Sequence, residues 1–167
     1  AYFPLIYWPV TENTPVIRPD TAAKLNAYMK SGGTIFFDTR DRGGANFGTE
    51  RLEEIARYLN VPMLRAVPSD HVLTRTYYLL REFPGRWAGG RLWVAREGSR
   101  VNDGVSSVIV GGHDWASAWA LDDERKPLYP AVPGGERQRE MAFRFGINLV
   151  MYVLTGNYKA DQVHMPA

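Results

Sequence analysis

One stretch constrains the fold more than any other: Gly32-Gly33-Thr34-Ile35-Phe36-Phe37-Asp38-Thr39-Arg40-Asp41. A segment with helical spacing of Leu25, Tyr28 and Met29 runs into two glycines. A short apolar run follows, Thr34 to Asp38, and opens onto a cluster of charges. A buried parallel strand of an α/β sheet reads this way, with polar groups delivered at its carboxyl end. Open α/β sheets take their ligands just beyond such ends. The expected site of this chain is therefore the crevice beyond Asp38.

The rest of the chain extends the same alternation. Leu5-Ile6-Tyr7-Trp8, closed by Pro9, reads as a first strand. Pro19-Asp20-Thr21 reads as a helix start, with Asp20 or Thr21 as the cap. Strand, helix and strand then make one βαβ unit with a right-handed crossover. Arg40 to Gly48 is a charged, glycine-rich loop. A second helix begins at Thr49 or Glu50, carries Leu52, Ile55, Ala56 and Leu59 on one face, and ends at Asn60 and Pro62. Pro68 to His71 reads as a turn, and Tyr77 to Leu80 is an apolar run that fits strand or helix. Leu92 to Ala95 and Ser107 to Val110 read as strands, with a turn at Asn102-Asp103-Gly104. Gly111-Gly112-His113-Asp114-Trp115 is a second polar strand end. Trp115 to Leu121 fits a short helix or a continuation. A long helix spans Glu136 to Thr155, with Met141, Phe145, Leu149, Tyr152 and Val153 inward. Gly156-Asn157 stops it, and Tyr158 to Ala167 is a tail lying over the surface. The pattern predicts one α/β domain over residues 1–167, a three-layer α/β/α sandwich with a mostly parallel sheet.

The 167 residues suffice for one sizeable core, and a formal charge of +2 gives no pull toward nucleic acid. There is no cysteine, which removes disulfides, thiolate metal sites and a thiol nucleophile together. No apolar run approaches the about 18 residues of a membrane span. The start at Ala1-Tyr2-Phe3-Pro4, without Met, reads as a fragment of a longer protein.

Four constellations bear on chemistry. Asp38, Arg40, Asp41 and Arg42 set two carboxylates beside two guanidiniums, fit for orienting a polar ligand or for acid–base work. The same four also make an ordinary solvated ion-pair cluster. Asp70-His71 and His113-Asp114 offer imidazole and carboxylate, but neighbours on a strand face opposite ways and no third ligand is evident, so no metal site is assigned. The alternative for each histidine is a bond to backbone at a strand end. Ser106, Ser107 and Ser117 lie near His113 in sequence without a Gly-x-Ser-x-Gly elbow, and Thr39 follows the central strand without an evident base. Gly43-Gly44-Ala45-Asn46-Phe47-Gly48 lacks the Lys-Ser/Thr of a phosphate loop and the spacing of a dinucleotide fingerprint, so no cofactor is assigned.

Several phrases together resemble a known family: Leu5 to Pro9, Gly32 to Asp38, Asp70-His71-Val72-Leu73 with Tyr77-Tyr78, Gly104-Val105-Ser106, His113-Asp114-Trp115 with Ala118-Trp119-Ala120, Arg144 to Asn148, and Thr155 to Lys159. Over nearly its whole length the chain resembles the bacterial domain of unknown function DUF4159. The resemblance implies a flavodoxin-like sandwich related to class I glutamine amidotransferases. It also implies a membrane-anchored bacterial parent protein of which this is a soluble domain. In the amidotransferases a Cys sits at a tight elbow after a strand and pairs with a His. By position, Asp38-Thr39-Arg40 is the candidate elbow here, and the absence of Cys removes that chemistry. The leading expectation is a non-catalytic binding or assembly module, meeting a protein partner or other domains of its parent through an exposed aromatic or arginine patch. Its ligand-binding residues are taken as Asp38, Thr39, Arg40, Asp41, His113, Asp114 and Trp115. The competing expectation is a hydrolase or small-ligand enzyme using Asp38, Asp41, His71 and His113, converging in one pocket. A ligand-sensing domain at the same crevice is the third.

Overall fold

The computed structural model describes residues 3–41, 46–98 and 102–155. Arg42, the Gly43-Gly44-Ala45 portion of the loop, and the expected stop and tail from Gly156 onward lie outside them.

Among the described residues, five strands form one sheet in the order β1 (Leu5–Pro9), β2 (Thr34–Asp38), β5 (Val108–Gly111), β4 (Trp93–Ala95) and β3 (Leu64–Ala66). β1 and β5 flank β2 in parallel, whereas β4 runs antiparallel to both β5 and β3. Only β4 therefore opposes the common direction, and the sheet is open and mostly parallel. The strand β2 is buried at all five positions, as its unbroken apolar run requires. Its alternation divides the core. Ile35 and Phe37, with Val108, pack against Ala22 and Met29 of α1 (Pro19–Lys30) and Leu52 and Ile55 of α2 (Phe47–Ala56). Phe36 and Ile109, with Val94, pack against Trp115 of α3 (Trp115–Trp119) and Phe145, Leu149 and Tyr152 of α4 (Gly135–Thr155).

Helix starts depart from the sequence reading. Pro19 opens α1, its fixed φ suiting the first helical position. The cap position falls on Arg18, which makes no side-chain capping bond, and Asp20 pairs with Arg18 from within the first turn. The second helix begins at Phe47 rather than Thr49, because a carboxylate from outside the helix supplies its first acceptor (below). Gly32, at φ 96°, takes the left-handed turn that ends α1. Two elements escaped the sequence reading: the three-residue strand β3 and a 3₁₀ turn at Val72–Thr74. The Tyr77–Leu80 run is neither strand nor helix. Asn148, fully buried on α4, receives the Tyr77 and Tyr78 amides (3.3 and 2.8 Å) on Oδ1. Its Nδ2 donates to the Leu73 and Tyr78 carbonyls (2.8 and 2.9 Å). One side chain thus substitutes for regular pairing of that segment.

Candidate functional site

The register places Asp38 opposite Gly111, so the carboxyl ends of β2 and β5 meet side by side. Asp38 is fully buried. Its Oδ1 accepts from the Arg40 and Asp114 amides (3.1 and 3.2 Å). Its Oδ2 accepts from the Trp115 amide (2.9 Å) and the Tyr7 hydroxyl (2.5 Å). A carboxylate has about four lone-pair sites, and all are taken. Tyr7 Oη in turn accepts from the Ala116 amide (3.2 Å). Burial pushes the Asp38 carboxyl above its ordinary value, while the Tyr7 hydroxyl and the three amides pull it back. The Tyr7 hydroxyl is pushed up by burial first and then by the Asp38 charge.

Asp114 completes the strand end. It sits between β5 and α3 in the left-handed conformation, φ 54° and ψ 59°, which aspartate adopts at sharp turns. Arg40 is also left-handed (φ 55°), but helix α2 starts only at Phe47. The Asp114 side chain is 3% exposed, held by Arg40 Nε at 2.9 Å and faced by Arg86 Nη1 at 3.7 Å. Arg86 lies over the rings of Trp87 and Tyr129. Thr39 is buried and donates its amide to Gly111 (2.8 Å). Trp115 is an anchor of the core, with Phe36, Phe145 and His113 rings within 5.3 Å.

The remaining candidates separate. Asp41 caps α2: its carboxylate accepts from the Gly48 and Thr49 amides and the Thr49 hydroxyl, at 2.6–2.9 Å. His71 caps the 3₁₀ turn through Nδ1 and the Leu73 amide (3.2 Å), and its ring packs on Tyr152. His113 is buried, hydrogen-bonded to the Gly90 backbone, and its Nδ1 has no partner among the described residues. Both imidazoles are pushed down to about 4, chiefly by burial. The residues around His113 bond Gln138 near the start of α4, through the Gly85 and Arg86 carbonyls, whereas His71 meets Tyr152 near its end. Fourteen residues of helix put about 20 Å between those two points. Asp38, Thr39, Arg40, Asp114 and Trp115 therefore form one network, Asp41 borders it, His113 adjoins it, and His71 is remote. Among the described residues no cluster of three His, Asp or Glu is placed to hold a metal, and no helix is long and apolar enough to cross a membrane.

The sequence reading missed the partners that close this network. Tyr7 falls within the expected first strand, and nothing local marks Arg86. Arg139, near the start of α4, is buried, with bonds to the Ala118 and Tyr129 carbonyls at 2.7 and 2.5 Å. Only long-range register brings these groups together, so no local motif announces them.

No curated protein matches the chain. The profile of a family described as Domain of unknown function (DUF4159) matches residues 1–154. With that match spanning nearly all of its length, the chain belongs to the DUF4159 family.

Proposed function

We propose that this domain is a non-catalytic binding or assembly module, a degenerate amidotransferase-like, flavodoxin-like three-layer sandwich in a membrane-anchored bacterial protein. The observation that carries the reading is the saturated strand end. Asp38 has no lone pair left for proton transfer, and Asp114, at the turn into α3, is ion-paired and almost closed to solvent. A nucleophile or base needs both a free lone pair and access to substrate.

The surface supports the same reading. On α4, Phe143, Ile147, Val150 and Leu154 are exposed, at spacings of four, three and four. That is the seam spacing of a helix built to pack along another helix. Beside it lies an apolar groove of about 440 Å³ bordered by Leu5, Tyr7 and Trp119. The partner that fits is an amphipathic helix, from another protein or another part of the parent chain. The test is a pair of variants in the full-length protein. Ile147→Glu should abolish association with its partner at unchanged melting temperature, and Asp114→Asn should weaken folding without abolishing any turnover. Turnover by the purified domain that Asp114→Asn eliminates, in a variant that remains folded, would replace this reading with the hydrolase alternative.

A further inference from the structure

We propose that the cavity beside His113, at the carboxyl edge of the sheet, binds a small organic monocarboxylate held by Arg81 and Arg91. The cavity measures about 370 Å³, the size of a small-ligand site. It is bounded where β3 ends, at Ala66 and Val67, where β4 is about to begin, at Leu92, and by His113 just past β5. That is the edge at which open α/β sheets take ligands.

The charges are what give the ligand its class. Most arginines near the strand end are committed: Arg40 and Arg86 to Asp114, Arg139 to Glu136 and two carbonyls. Arg81 and Arg91 line the cavity, are exposed, and have no hydrogen bond or ion pair among the described residues. A guanidinium presents a planar fork of donors matched to a carboxylate. Glu82 lines the same cavity and is likewise without a partner there. Two positive charges against one negative leave a single positive charge, which a monoanion neutralises, whereas a dianion would leave an uncompensated charge against the apolar wall. Phe83, Pro84, Leu92 and Val67 supply an apolar wall, so the carboxylate should carry an apolar body.

His113 forms the inner wall of the cavity: it is 5% exposed, and its ring is fixed by a hydrogen bond to the Gly90 backbone. Gly90 makes the wall possible, since a Cβ there would come within 2.3 Å of His113 Nε2. The site is separate from the α4 groove and goes beyond the assembly reading.

The experiment is a thermal-shift and calorimetric series on the purified domain with acetate, butyrate, benzoate and 3-phenylpropionate, set against butyramide, benzamide and inorganic phosphate. The expected result is a concentration-dependent rise in Tm with the carboxylates that carry an apolar body and none with the amides. Arg81→Gln and Arg91→Gln, at exposed positions that leave the fold intact, should each weaken binding about tenfold or more. Glu82→Gln should tighten it. No rise with any carboxylate, phosphate binding as tightly as benzoate, or unchanged affinity in both arginine variants overturns the proposal. Carboxylate binding should persist in Ile147→Glu, so failure of the helix-partner reading is read out separately.

Discussion

At the scale of single residues, the buried acids and imidazoles hold this fold and set its response to pH. Asp38→Asn replaces a four-fold acceptor by an amide whose NH₂ faces donors, so at least one buried amide loses its bond. The expected cost is about 3 kcal/mol in urea unfolding. Tyr7→Phe removes one donor to that carboxylate and should cost about 1.5 kcal/mol. An Asp38→Asn variant as stable as the parent would show that the latch holds nothing. The histidines make a second prediction. His71 and His113 take up protons near pH 6.5 when unfolded but only near 4 when folded. The unfolded chain therefore binds more protons between those values, and stability falls as the pH drops from 6.5 toward 4. For His113 the loss reaches about 3 kcal/mol. Asp38 acts in the opposite sense: its carboxyl is raised above 3.8 in the fold, so its contribution declines as pH rises past that value. The histidine contribution to the denaturation midpoint should therefore fall on acidification across this range. His71→Asn, whose amide oxygen can still cap Leu73, should reduce the slope, and an unchanged slope would exclude His71 as a source.

At the scale of elements, the sequence was legible wherever local chemistry decides and silent where distant register decides. The β2 run, the α4 stripe and the two glycines after α1 each state their structure within a few residues. The short β3 does not, since three residues of Leu-Arg-Ala carry no periodicity and are a strand only because Arg65 pairs with Val94. The Leu73–Tyr78 segment is shaped by Asn148, some 70 residues away. Candidate residues were recognisable by type, but their roles were not: Asp41 is legible as an acid in a loop, and only the structure makes it the cap of α2. Two variants test these element-level roles. Asn148→Leu strands two amides and two carbonyls and should cost about 3 kcal/mol or more, with exchange protection lost at Tyr77 and Tyr78. Asp41→Ala should cost about 1 kcal/mol and raise amide exchange at Gly48 and Thr49 first. Uniform loss of protection across the sheet in the second variant would argue against a local capping role.

At the scale of the whole molecule, the β2–β5 strand end is closed by its own side chains, whereas the α4 flank and the cavity beside His113 are open. The strand end spends its charges internally, on Asp38 and Asp114, while α4 and β1 leave an apolar surface beside each other. A domain arranged this way is equipped to hold something more than to convert it. The most direct measurement places a photo-crosslinking residue at position 147 of the full-length protein in its native cells, with position 24 on α1 as the control. The account predicts one discrete adduct from position 147, none from 24, a crosslinked peptide with apolar residues at helical seam spacing, and loss of that adduct on Val150→Glu. The absence of any adduct at 147, or one that survives Val150→Glu, would contradict it.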